Sequence, residues 1–278
     1  MSLWNGAIVI VTGAASGIGR AISEALIVRG AEVWLADIDA SSAEQAERAL
    51  GRRAHAVELD VRRADAFQEL VDRVGEEHGR IDFLFNNAGI GVGGEAHELR
   101  AEHWDRVIDV NVRGVTNGVA AAYPVMVRQR RGHIVNTASV AGLAPVPLLT
   151  PYAMSKHAVV GLSTSLRMEA VRFGVRVSAL CPGPIDTPLL DTRGPSDLPQ
   201  PWVPDLRRYL GRITGPSYPA SKLAEAALRG VEANQPLIIV PGAARAGVWL
   251  QRLAPGLLAA WVRRAARAEL REKPPSSA

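Results

Sequence analysis

Seven short apolar runs alternate with stretches of helical periodicity along this chain. That alternation restricts its fold more than any other feature. The strand-like runs are Ala7–Val11, Glu32–Ala36, Ala54–Leu59, Ile81–Phe85, Gly132–Ala138, Val175–Leu180 and Leu237–Val240. Between them, helical spacing covers Gly17–Arg29, Ser41–Leu50, Asp65–His78, Ala101–Arg128, Pro151–Phe173 and Pro219–Ala233. Strands joined by helical crossovers pair in parallel, and a parallel sheet must be covered on both faces. The expected fold is α/β, a Rossmann-type doubly wound, seven-stranded parallel sheet. Local chemistry adds detail. Ser41 fits an N-cap, Gly79 fits a helix stop, and Pro124 is expected to bend or end the long fourth helix.

No linker divides residues 1–242, so they read as one catalytic domain. Within it, 184–218 is rich in proline and poor in periodic apolar positions, as expected of a substrate loop, with a short helix around Asp205–Leu210. A helical extension spans 243–272, and 273–278 is expected to be disordered. The chain has 278 residues, 47% hydrophobic and 22% charged, an ordinary globular balance. The single cysteine, Cys181, excludes an intrachain disulfide. No run of 18 apolar residues and no basic leader exist, so a cytoplasmic protein is expected. Net charge is +4, but residues 241–278 hold seven Lys/Arg against two Glu, a balance of +5 that leaves −1 for residues 1–240. The basicity belongs to the tail and gives no case for nucleic acid.

The turn Thr12-Gly13-Ala14-Ala15-Ser16-Gly17-Ile18-Gly19 lies between the first strand and the first helix. Glycines there let the backbone turn tightly and approach a pyrophosphate, and the helix N-terminus presents free N–H groups to it. Asp37 ends the second strand, where a carboxylate accepts both adenosine ribose hydroxyls and repels a 2′-phosphate. Its neighbours Ala36 and Ile38 are not basic, nor is Ser16, so NAD is expected rather than NADP. Asp60 ends the third strand and could meet the adenine edge, with Val61 against the ring.

Tyr152 and Lys156, four apart on one helix face, form the candidate acid–base pair. A phenol titrates at about 10, so work near neutrality needs a drop of roughly 3, or about 4 kcal/mol. A neighbouring ammonium and a positive nicotinamide act in that direction.

These pieces occur in the order of a known family. With Asn86-Asn87-Ala88-Gly89, Asn111, Ser139, Tyr152-Ala153-Met154-Ser155-Lys156 and Pro182-Gly183-Pro184-Ile185-Asp186-Thr187, the chain resembles the compact short-chain dehydrogenases/reductases over residues 7 to about 190. The resemblance implies roles. Tyr152 would exchange the proton with the substrate oxygen, and Ser139 would hold that oxygen. Lys156 would lower the Tyr152 pKa and bind the nicotinamide ribose, while Asn111 would support a water for proton relay. Asn87, Ala88 and Gly89 would steady the sheet beside the cofactor. Thr187 and the backbone near Ile185 would hold the nicotinamide carboxamide, and Pro182 and Gly183 would also line the cofactor. The resemblance also implies a homotetramer or homodimer built through the long helices.

No metal is expected, since the six histidines (55, 78, 97, 103, 133 and 157) show no ligand spacing. The expected activity is NAD-linked interconversion of a secondary alcohol and a ketone. The apolar residues Leu189, Leu190, Leu198, Trp202, Val203, Leu206 and Trp249 point to a steroid-like, aromatic or fatty substrate. The alternatives are a 3-oxoacyl thioester reductase using NADPH and a catalytically silent dinucleotide-binding scaffold. In the tail, Trp249, Leu253, Leu257 and Trp261 recur every fourth residue among arginines, and Pro255-Gly256 is expected to divide two helices. Such a segment packs on protein, over the cleft or a neighbouring subunit, or makes peripheral contact with an anionic membrane; packing on protein is the preferred reading.

Overall fold

A computed structural model describes residues 3–192, 194–200 and 202–274. The chain runs β1 (Ile8–Thr12), α1 (Gly17–Val28), β2 (Glu32–Asp37), α2 (Ala40–Leu50), β3 (Ala54–Glu58), α3 (Ala64–His78), β4 (Phe83–Asn86), α4 (Ala101–Ile108), α5 (Gly114–Gln129), β5 (Gly132–Thr137), α6 (Thr150–Ala170) and β6 (Val175–Pro182). It continues through β7 (Ile185–Asp186), α7 (Leu206–Thr214), β8 (Tyr218–Pro219), α8 (Ala220–Glu232), β9 (Leu237–Val240), α9 (Ala244–Leu253) and α10 (Pro255–Leu270). Among the described residues the main sheet has seven strands, all parallel, in the order β3-β2-β1-β4-β5-β6-β9. The winding reverses between β1 and β4, which opens a crevice beyond their C-terminal ends.

The composition of β1 shows why the sheet has two covers. All five of its residues are buried. Val9 and Val11 face Ile22 and Leu26 of α1 and Leu223 and Leu228 of α8. Ile8 and Ile10 face the opposite layer, with Phe67 and Leu70 of α3, Met126 of α5 and Leu166 of α6. A strand whose alternate residues enter two cores has to be apolar throughout.

Three local expectations change. Ser41 is inside α2 rather than at its cap; the cap is Asp39, whose carboxylate accepts from the Ser42 amide at 3.1 Å. A carboxylate there also meets the positive end of the helix. The long helix is interrupted not at Pro124 but at Asp109–Arg113, a π-helical turn between α4 and α5. Pro124 lies within α5 on its exposed side, and the carbonyl it leaves unbonded belongs to exposed Ala120, open to water. The short loop helix extends to Thr214, capped by Asp205, which accepts from the Arg208 amide at 2.9 Å.

The tail divides at Ala254–Pro255 into α9 and α10, as expected. Glu269 of α10 is fully buried. Its carboxylate accepts from the Asp205 amide at 3.0 Å, from Arg208 at 2.6 and 3.0 Å and from Arg212 at 3.0 Å. Tyr209 of α7 donates to the Pro147 carbonyl at 2.8 Å, so α7 is clamped between α10 and the segment leading into α6. Of the segment expected to be disordered, residues 275–278 lie outside the described residues, while Lys273 is held by Glu95 at 2.6 Å and Glu98 at 2.5 Å. Among the described residues no helix is long and apolar enough to cross a membrane.

Candidate active site

The glycine turn is built to be occupied closely. Gly13 has φ +62°, and a Cβ on it would lie 2.9 Å from the Ala88 Cα. A Cβ on Gly19 would lie 2.1 Å from the Gly13 carbonyl oxygen. Gly19→Ala is therefore expected to open the turn and cost about 2–3 kcal/mol, read by urea unfolding, with loss of dinucleotide-induced stabilisation. An unchanged midpoint with full stabilisation would rule out this account of the turn. Ser16 precedes α1 in extended conformation, and Ile18 turns its side chain into the core beside α1. What Ile18 offers a phosphate is its backbone N–H in the first turn of the helix.

Asp37 is already oriented. One carboxylate oxygen accepts from the Ala15 amide at 2.9 Å and the other from the Asp39 amide at 3.1 Å. The fixed acid thus lies beside the glycine turn, where the ribose of a dinucleotide would sit. Asp60 is engaged within its own loop. Arg62 engages both of its oxygens, at 2.6 to 3.0 Å, and holds its carboxyl below the ordinary range. Val61 is 7% exposed, and a Cβ on Gly114 of α5 would lie 2.7 Å from its side chain. Most of Val61 is therefore taken up by the helix.

The ends of β1, β4 and β5 are tied together. The Thr12 hydroxyl accepts from the amides of Asn87 and Ala88 at 2.9 and 3.0 Å. The Asn87 side chain donates to the Thr12 carbonyl at 3.0 Å and accepts from the Thr137 hydroxyl at 3.3 Å. Gly89 follows, and a Cβ there would lie 3.2 Å from the Asn111 Oδ1 and 3.4 Å from the Lys156 Nζ. Gly89 thus brings its backbone into close contact with both groups. Asn111 sits in the π-helical turn, a feature often found at functional sites. Its amide clasps Ile90, accepting from the nitrogen at 2.8 Å and donating to the oxygen at 2.9 Å, and donates to Ser155 at 3.0 Å.

Ser139 follows β5 and Tyr152 and Lys156 lie on α6, so the sheet end and the helix bring all three to one place. The Ser139 hydroxyl donates to the Pro182 carbonyl at 3.2 Å. The Lys156 ammonium, 3% exposed, donates to the Thr137 carbonyl at 2.9 Å and lies 5.5 Å from the centre of the Tyr152 ring. Burial lowers Lys156 to about 8. Burial also raises the Tyr152 phenol above its ordinary value, while a hydrogen bond with Ser139 pulls it down. Behind them Cys181 is fully buried, its thiol pushed up to about 12. On the far side of the crevice Pro182 and Gly183 close β6. Ile185 is buried, and Thr187 leans over the turn, 3.4 Å from where a Cβ on Gly17 would be.

Sequence reasoning assigned no role to Thr12, Thr137 or Ser155. All three act through hydrogen bonds between elements distant in the chain, which no local spacing announces. The apolar inventory also changes. Leu198 and Leu206 are buried, and Trp202 packs with Tyr209 and Leu148. Trp249 is 59% exposed on α9 and is no part of that cluster.

Comparisons with known proteins agree with this geometry. The family description "short chain dehydrogenase" matches residues 7–197. The chain is 36% identical over 258 residues to the probable oxidoreductase EphD of Mycobacterium tuberculosis, covering 90% of this chain but 44% of that protein. It therefore spans less than half the length of that relative. A short-chain dehydrogenase/reductase from Burkholderia phymatum, solved in complex with NAD, has a TM-score of 0.83 at 34% identity, covering 92% of this chain and 96% of that one. A 3-ketoacyl-(acyl-carrier-protein) reductase from Brucella melitensis complexed with NADH has a TM-score of 0.76 at 29% identity, covering 87% and 99%. With the family match spanning most of the parallel sheet, and the ordered site residues lying at the ends of its strands, this chain belongs to the short-chain dehydrogenase/reductase family.

Proposed function

We propose that the chain interconverts a secondary alcohol and a ketone with NAD(H), acting on a hydrophobic substrate. The observation that carries this reading is the buried Lys156 ammonium 5.5 Å from the centre of the Tyr152 ring, with Ser139 drawing the Tyr152 phenol down. Two hydroxyls then meet one substrate oxygen. Ser139 donates to that oxygen and fixes its position, and Tyr152 delivers the proton to it in reduction or removes it in oxidation. Lys156 keeps positive charge under the phenol. Its own link runs to Thr137, with Asn111 holding the neighbouring Ile90 backbone. Bound nicotinamide supplies the hydride acceptor or donor. The residues present fit that cofactor: the turn has no room for a Cβ at Gly13 or Gly19, and the oriented Asp37 carboxylate stands beside it.

Asp37 supports NAD over NADP. Its oxygens are pinned by two amides, so the acid cannot swing away from a 2′-phosphate, and like charge in contact is disfavoured. Initial rates are expected to favour NAD⁺ over NADP⁺ by at least about tenfold, a difference of about 1.4 kcal/mol. Asp37→Ser is expected to erase that preference. Preference for NADP⁺ in the unaltered chain would refute the assignment.

A second reading, reduction of 3-oxoacyl thioesters, gains support from the likeness to the Brucella reductase. That structure holds NADH, so cofactor choice does not separate the two readings. Substrate does. A panel of steroid-like, aromatic and fatty secondary alcohols, run against acetoacetyl-CoA with NADH, is expected to give the higher kcat/KM with an alcohol. The reverse order would establish the thioester reading instead.

A further inference from the structure

The C-terminal helices bury one face and leave a second apolar face in water. Val248, Leu258, Val262, Ala265 and Ala266 pack inward. Trp249 and Leu253 of α9, and Leu257 and Trp261 of α10, are 59%, 78%, 67% and 57% exposed. They succeed one another at intervals of four on either side of the helix break. An amphipathic helix docked on a protein ordinarily turns polar residues outward; these two also turn four large apolar side chains outward.

The charge around this ridge is predominantly positive. Arg245, Arg252, Arg263, Arg264, Arg267 and Arg271 are exposed. None forms an ion pair with a described residue; among the described residues the one side-chain hydrogen bond of this group runs from Arg263 to the Ala259 carbonyl at 3.3 Å. Of the two acids in the tail, Glu269 is buried and already engaged by Arg208 and Arg212, which leaves exposed Glu272 as the one acid beside six exposed arginines.

We propose that the outward face of α9 and α10 docks on an anionic lipid bilayer surface. Tryptophan favours the headgroup level, leucine enters the acyl boundary, and arginine meets lipid phosphate while its stem stays in contact with apolar matter. A second copy of the chain is the poorer occupant. A two-fold contact brings the same patch of both copies together, which here sets six arginines against six. The helices are anchored for the purpose, since Glu269 and Lys273 tie α10 to α7 and to Glu95 and Glu98.

The test is flotation of the full chain with vesicles of phosphatidylcholine alone and with about 30 mol% phosphatidylglycerol. Recovery is expected to be at least about tenfold higher with the anionic vesicles and to fall as salt rises. Leu253→Glu with Trp261→Glu, and separately Arg263→Glu with Arg264→Glu, are each expected to lower it at least about tenfold at an unchanged thermal midpoint. In the unaltered chain, brominated lipid is expected to quench tryptophan emission, a readout that depends on no variant. Equal recovery on both vesicle types, equal recovery of variants and parent, or no quenching would overturn the proposal. So would a concentration-dependent dimer that the variants dissolve while vesicle recovery stays at background.

Discussion

Tyr152→Phe is expected to reduce turnover about 1,000-fold in both directions, the scale on which a positioned acid–base group acts. The ring stays, so its contact with Lys156 and the start of α6 are preserved, and only the hydroxyl is lost. Dinucleotide binding, followed by quenching of protein fluorescence, is expected to stay within about twofold, since the turn and Asp37 are untouched. A variant that keeps more than about a tenth of the activity would remove Tyr152 from the reaction. The pH dependence carries the same logic. Oxidation needs the phenolate, so its rate is expected to rise with pH. Reduction needs the phenol, so its rate is expected to fall. Burial raises the phenol while Ser139 opposes it, so Ser139→Ala is expected to move both limbs to higher pH. A shift to lower pH would contradict the coupling of the two hydroxyls.

Glu269→Ala carries the largest expected loss of stability outside the glycine turn. Four hydrogen bonds end on this one buried carboxylate, and they join α10 to the cap and first turns of α7. Removing it leaves the Asp205 amide without its acceptor and Arg208 and Arg212 without their counter-ion. Breaking a buried pair from one side costs about 3–5 kcal/mol. The arginines keep partial access to water, which places this change at the lower end, about 3 kcal/mol. Urea denaturation measures it, and limited proteolysis locates it, with new cleavage expected within 184–218. Glu269→Gln, which retains an acceptor, is expected to lose less. Equal stability of all three chains would show that α10 contributes nothing to holding the loop.

Much of the architecture was legible because it rests on short-range pattern. Seven apolar runs became seven parallel strands, with no end displaced by more than two residues. The turn at Gly13–Gly19, Asp37, Ser139, Tyr152 and Lys156 were singled out by type and order; the fold puts the turn, Asp37 and Ser139 at strand ends and Tyr152 and Lys156 on α6. Features decided by three-dimensional competition were not legible. Asp39 outcompetes Ser41 as a cap because two acceptor oxygens and a charge are available two residues earlier. Pro124 leaves its helix intact because the carbonyl it frees faces water. The tail offered two apolar faces, and only folding decides that Val248, Leu258 and Val262 go inward while Trp249, Leu253, Leu257 and Trp261 do not. Arg62 takes both oxygens of Asp60, a pairing that the strand-end position of Asp60 does not announce.

The thiol buried behind Lys156 has a practical consequence. Cys181 is the sole cysteine of the chain, and its sulfur is both inaccessible and held in the unreactive protonated form. The native protein is therefore a silent background for maleimide chemistry near neutral pH. A cysteine engineered at one exposed position, such as Leu257, would carry a fluorophore or spin label alone, with no second thiol to remove and no replacement made beside the proton-transfer groups. Ellman's reagent is expected to count no thiol in the folded chain and one in guanidinium.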